Sequence, residues 1–310
     1  ELVILDKTDV STNVITTLTS NNSNVTFDKA VVNAGSAAPQ DLTINAGTGH
    51  VTFTGVVGDD EIVNMAATGS TPAVIKNGAL GHLIINSAGE TKFVSTVDAA
   101  SLKTDVDTAN IDVNAASNKV TIQGGRITTT GAQTYNDDVV LDHLANATVL
   151  NTTDAAVWFG RSLNNATTAP ESLTVNAGNG AVTFNGAVGN STTKLAMGVL
   201  VVNSGAATTF ARAVDAASVA TDVGGAVAIN GGRMTTTGAQ IYGEAVTMSQ
   251  ATTLTASELT FADTVNGASS LHVLGTTTMN GGNISTAGNQ RYSGAVTLGQ
   301  HTTLDADSGN

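Results

Sequence analysis

A chain of 310 residues with 33 glycines, 3 prolines and only 12% charged residues lacks the surface of an ordinary globular domain, where roughly a quarter of residues are charged. Its net charge of −13, from 25 acids spread thinly against 12 bases, excludes a binder of phosphate backbones, which needs a clustered basic face. The absence of cysteine excludes a disulfide framework and any thiolate metal site.

The surface is filled instead by Thr, Ser and Asn among Ala and Val. β-Branched residues suit pleated strands, and Asn and Gly suit tight corners. The opening Glu1-Leu2-Val3-Ile4-Leu5 shows no basic segment leading into an apolar run, and no stretch of 18 apolar residues follows anywhere. Neither a signal peptide nor a membrane-spanning helix is therefore expected.

Along the chain the local signal is an apolar-polar-apolar triplet: Val25-Thr26-Phe27, Leu42-Thr43-Ile44, Val51-Thr52-Phe53, Val120-Thr121-Ile122, Val139-Val140-Leu141, Leu173-Thr174-Val175, Val182-Thr183-Phe184. Strand residues alternate faces, so each triplet points two side chains inward and one outward. Asn-Gly, Gly-Gly and Ala-Gly separate the triplets. Such turns also suit hairpins, but the very short strands and their spacing favour winding, in coils of roughly 18 to 25 residues. Val97 to Val106 and Val214 to Val223, rich in alanine, are expected to be corners or single-turn excursions, since isolated helices this short are marginal.

Self-similarity organises the whole chain. Leu42 to Phe53 returns as Leu173 to Phe184, and Val97-Asp98-Ala99-Ala100-Ser101 returns as Val214-Asp215-Ala216-Ala217-Ser218. A third motif occurs three times: Gly124-Gly125-Arg126-Ile127-Thr128-Thr129-Thr130-Gly131-Ala132-Gln133-Thr134-Tyr135, again from Gly231 to Tyr242, and again from Gly281 to Tyr292. The displacement shrinks from copy to copy, which a one-dimensional array tolerates because each module touches mainly its neighbours. The expected architecture is all-β, a single-stranded parallel β-helix (β-solenoid) running through residues 1–310. Its modules span approximately 25–150, 157–256 and a truncated 259–310.

The wording of these repeats, with Gly294-Ala295-Val296-Thr297-Leu298-Gly299, resembles the degenerate repeats of filamentous-haemagglutinin-like bacterial exoproteins and adhesins. The resemblance covers essentially the whole chain. It implies a right-handed parallel β-helix shaft, secretion to the bacterial cell surface, and a role in cell adhesion, aggregation or biofilm matrix. The implied partners are a host or neighbouring-cell surface or a matrix polysaccharide. Pro39, Pro72 and Pro170 do not supply the Asn-Pro motif of the family's secretion domain. An alternative is a filament subunit that self-associates end to end through open β-helix edges. A remoter one is a polysaccharide-active β-helix enzyme.

That enzyme would need clustered acids. Asp59, Asp60 and Glu61 form the one dense acidic group and are the candidate metal ligands, with a solvated loop as the plainer account; Asp105 with Asp107 and Asp137 with Asp138 are sparser. Asp98 and Asp215 recur at equivalent places, as do Arg126 and Arg233, and recurrence points to scaffolding rather than to a catalytic site. Asp98 and Asp215 are expected to bond backbone at a turn. The histidines His50, His82, His143, His272 and His301 stand singly, without metal-ligand or triad spacing. Trp158, in Val157-Trp158-Phe159, is the candidate sugar-stacking contact if it faces outward. No catalytic residue, cofactor or nucleic-acid partner is expected.

Overall fold

The structure, a computed structural model, describes residues 3–5, 15–33, 39–58, 62–65, 73–76, 78–105, 118–143, 147–190 and 196–306. Among these residues every regular element is a strand, and no helix occurs. The chain divides into two compact units, Glu1–Val139 and Val140–Asn310.

In the second unit the strands stack in parallel along three ladders. The first runs Leu173, Leu200, Val219, Gln240, Leu259, Thr277, Val296. The second runs Val157, Val182, Thr208, Val227, Val246, Val265, Ile284, Leu304. The third runs Leu163, Val188, Val214, Met234, Leu254, Val273, Tyr292. The chain visits the ladders in turn, and each strand pairs with its equivalent one circuit later. Early side-chain bonds between circuits span 25 and 27 residues, and later ones 19. Short parallel strands revisited at such a step fit a β-solenoid.

The first unit repeats the plan: Leu18, Ile44, Ile85, Thr104 and Tyr135 on one ladder, Phe27, Phe53, Phe93 and Ile122 on the next, Val31, Val57, Val97 and Ile127 on the third. Its step is irregular, reaching 41 residues between Asn45 and Asn86. Within that long step lies an antiparallel pair, Ile62–Met65 with Ala73–Lys76, so a hairpin occurs as an excursion from the parallel stack.

The triplets behave as alternation requires. Val182 and Phe184 are buried while Thr183 between them is not, and Val157-Trp158-Phe159 follows the same rule. Stacking identical positions brings like side chains together in the interior. Phe27, Phe53 and Phe93 pile at centroid separations of 4.9 and 5.4 Å, and Phe159, Phe184 and Phe210 at 4.8 and 5.1 Å. Each ring taken from water contributes about 1.5–3 kcal/mol, and offset stacking adds to that.

Val97–Thr104 and Val214–Thr221 are eight-residue strands rather than single-turn excursions, and each carries a corner within it. Their alanines are small because these strands turn from the third ladder to the first, pairing with one strand at one end and another at the other. The corner glycine that opens the third motif is explained by close approach between circuits. A Cβ on Gly231 would lie 2.1 Å from the backbone of Arg212, and one on Gly124 would lie 2.0 Å from Ser95.

The three copies of that motif do not occupy the same corner. Met234 and Gln240 of the second copy lie on the third and first ladders, whereas Ile284 and Tyr292 of the last copy lie on the second and third. The motif has moved by one side of the coil.

Candidate functional site

The residues that recur in sequence are joined across circuits. Arg126 grips Asp98 through two bonds, Nη1 to Oδ1 at 2.7 Å and Nη2 to Oδ2 at 2.9 Å; Arg233 holds Asp215 in the same way at 2.5 and 2.9 Å. Both guanidiniums also donate to a threonine two residues on, Thr128 or Thr235. Asp98 and Asp215 thus take an arginine one circuit away as partner rather than only a turn backbone. The Asp215 side chain is 5% exposed and that of Arg233 44%, so the pair lies between a surface and a buried salt bridge. Arg233→Leu should cost about 2 kcal/mol by urea denaturation, and Arg233→Lys should recover only part because the two-pronged geometry is lost.

The third motif turns out to be a side-chain clamp. Gln240 Nε2 donates to the Thr255 carbonyl at 2.9 Å and to the Met234 carbonyl and the Thr236 hydroxyl at 3.3 Å, while the Tyr242 hydroxyl donates to Gln240 Oε1 at 2.9 Å. Gln133 with Tyr135 and Gln290 with Tyr292 repeat the bond, at 2.9 and 3.0 Å. Burial pushes the Tyr135 and Tyr242 hydroxyls far above their ordinary value and that of Tyr292 up to about 12, so all three remain donors. Sequence reasoning found the motif but not this role. The sixfold spacing from Met234 to Gln240 was the available signal.

A groove of about 540 Å³ opens on the first unit, lined by Asn22, Asn45, Asn86, Ser87 and Asp105 among others. It follows from outward asparagines stacked on one ladder: Asn86 Nδ2 donates to Asn45 Oδ1 at 2.7 Å. Asn22 Oδ1 accepts the Thr48 N–H and Asp105 Oδ1 accepts the Ser87 N–H. The second unit carries the same amide chain, Asn203 to Asn176 to Asn151, at 2.7 and 2.8 Å. A wall of amides and hydroxyls can hydrogen-bond a polyol.

Trp158 faces outward, 39% exposed, beside Thr183 of the next circuit. It thus meets the geometric condition for stacking on a sugar ring. Asp59, Asp60 and Glu61 lie outside the described residues, as does Asp107. Asp137 is buried and Asp138 half-buried. His82 Nδ1 lies 2.7 Å from Ser101 Oγ and His272 Nε2 lies 3.0 Å from Ser293 Oγ, both on the surface. A nucleophile and base share such geometry, but the position equivalent to His82 opposite Ser218 is Val199. Among the described residues no group of three metal-ligating side chains converges.

No family model, no curated protein and no solved structure matches this chain.

The burial of several acids was not foreseen, Asp105 and Asp137 being expected only in sparse acidic pairs. Glu171 is 5% exposed; burial raises its pKa, with Asp142 adding to the rise, while the His143 N–H bonded to Oε2 at 2.6 Å opposes it. At a corner of the first unit, Asp105 and Asp137 are bridged by the Asn118 amide, which, turned so that its nitrogen faces the two acids, donates to Asp137 Oδ1 at 2.6 Å and Asp105 Oδ2 at 3.2 Å. The second unit places Asp222 and Glu244 at the matching positions, after Thr221 and after Tyr242-Gly243. Aligning Tyr135-Asn136-Asp137 with Tyr242-Gly243-Glu244 is the signal that would have found them.

Proposed function

We propose that the chain is a length of non-catalytic shaft from an extracellular bacterial surface adhesin, wound as a right-handed β-solenoid of filamentous-haemagglutinin type with three strands closing each coil. The reading is carried by the three parallel ladders, in which each strand away from the ladder ends is held by the strand one circuit before and one circuit after. Such a stack gains length by adding circuits, with no change to those already present. Its interior is aliphatic, mostly Val, Leu and Ile, with two short stacks of phenylalanine, one on a ladder of each unit. The recurring ionic groups, Arg126 with Asp98 and Arg233 with Asp215, and the amides of Gln240 and Gln290, bonded to the Thr255 and Asp305 carbonyls, each tie one circuit to the next. They serve rigidity.

On this reading the partner is a cell-surface or matrix polysaccharide, and the asparagine-lined groove and Trp158 are the places where hydroxyl-rich chains would touch. Negative-stain electron microscopy of the purified chain at rising concentration, with the mass of the native surface protein, tests the proposal. Discrete short rods and a native chain far heavier than 31.0 kDa are expected. Long unbranched fibres from a native chain of that mass would make it a polymerising subunit instead, and globular particles would overturn both readings.

A further inference from the structure

The two equivalent acid corners differ in one respect that has chemical consequences. In the first unit the Asn118 side chain stands between Asp105 and Asp137 and donates to both. In the second, the register Ala207↔Ala226 matches Glu90↔Lys119, so the residue before the strand is Gly225 where the first unit has Asn118. Gly225 offers no side-chain amide to Asp222 and Glu244. Asp222 is already committed, its Oδ1 accepting the Ser204 N–H at 3.0 Å. Glu244 is 2% exposed, and neither of its carboxyl oxygens has a hydrogen-bond partner.

A buried carboxylate without donors, beside a second carboxylate, is among the costliest arrangements a protein can hold. Neutralising one of the two relieves both the desolvation and the repulsion. We propose that Glu244 is kept as a neutral acid beside Asp222, and that removing its proton loosens the circuits on either side, making this corner a pH-operated weak point in the second unit.

The surroundings agree. Burial, then the charge of Asp222, raise the Glu244 pKa to about 7; the Thr221 hydroxyl opposes them, near the carboxyl but outside hydrogen-bonding geometry. From the circuit before, the residue following the strand Val214–Thr221 is Asp222, and Gly224, Gly225 and the strand Ala226–Ile229 present no ionisable group. From the circuit after, Asp263 takes the same register position but is exposed, its carboxylate accepting the Thr264 N–H at 2.6 Å. No lysine or arginine of the described residues acts on Glu244.

The sign follows from linkage. A carboxyl whose folded pKa lies above its unfolded value of 4.5 contributes stability that is complete below pH 4.5, falls as pH rises toward 7, and falls no further above it. Hydrogen exchange at Val246 and Val265, corrected for intrinsic rate, should show protection dropping by up to about tenfold per pH unit between those limits. Glu244→Gln, neutral at every pH, should abolish that drop and be the more protected protein at pH 8. Asp222→Asn should move the Glu244 carboxyl resonance, followed by carbon-13 NMR, to a lower midpoint.

A Glu244 midpoint near 4.5, or the same pH profile in Glu244→Gln, would overturn the proposal. So would protection that is lost at pH 7 with a chelator and restored by calcium, because the two carboxyls would then hold a cation rather than a proton. Should Glu244→Gln fail to fold, the wild-type resonance alone decides.

Discussion

Replacing Phe184 with alanine is expected to destabilise the second unit by about 3–5 kcal/mol, the range for removing a large aromatic side chain from a rigid core. Phe184 is the middle ring of a stack, 4.8 Å from Phe159 and 5.1 Å from Phe210 with interplanar angles of 5° on both sides. Its loss removes two aromatic contacts and leaves a cavity that flanking backbones, pinned by ladder bonds on both sides, cannot collapse to fill. The chain's single tryptophan, Trp158, is bonded in sequence to Phe159. Its fluorescence should therefore report the change during urea unfolding, with the midpoint moved to lower denaturant. A shift equivalent to less than about 1 kcal/mol would mean that the rings do not stack in solution.

The second large effect is expected at the clamp. Gln240→Leu keeps the side-chain volume close but removes the donor to the Thr255 and Met234 carbonyls and the acceptor of the Tyr242 hydroxyl. Buried groups that lose a partner cost about 1–3 kcal/mol each, and Tyr242 retains only a contact to Met234 Sδ at 3.1 Å, so the total should reach about 2–4 kcal/mol. Gln290 makes the same bonds in a half-buried setting, to the Ile284 and Asp305 carbonyls. There water can replace the amide, and Gln290→Leu should cost less than about 1 kcal/mol. Urea denaturation of both variants checks the contrast. Equal costs would show that the clamp acts through packing and not through its hydrogen bonds.

Much of the β architecture could be read from the residues because two local periods agree. Val182-Thr183-Phe184 alternates with period two, and Gly178-Asn179-Gly180 before it closes a corner, so inward and outward faces were assigned without knowing any neighbour. Val97–Thr104 was missed because its alanines carry no strand signal of their own. What makes it a strand is the pair of neighbours at its two ends, Ile127 and Gln133. Partners across circuits were illegible for a related reason. Asp98 meets Arg126, 28 residues on, and Asp215 meets Arg233, 18 residues on, because the number of residues per circuit changes with each insertion. The rotation of the last motif copy was hidden too, since a 50-residue displacement from Gly231 to Gly281 does not divide by the 19-residue circuit seen there. That copy shows the corners to be interchangeable parts.

Successive circuits are tied by backbone bonds that run along the ladders: the Ala262 N–H to the Tyr242 carbonyl, the Asn280 N–H to the Phe261 carbonyl, the Gly299 N–H to the Met279 carbonyl, at 2.8 to 2.9 Å. Tension applied in the same direction would meet these bonds head-on and only one circuit's worth at a time, in contrast to a sheet sheared along its strands, where all bonds resist together. The outermost circuit would yield first and leave the next intact. Each one released would add up to about 65 Å of slack for its 19 or so residues, the reach of an extended chain. On the shaft reading, force within such a unit would be shed in instalments, and a sudden pull would lengthen the shaft before it threatened whatever the shaft holds.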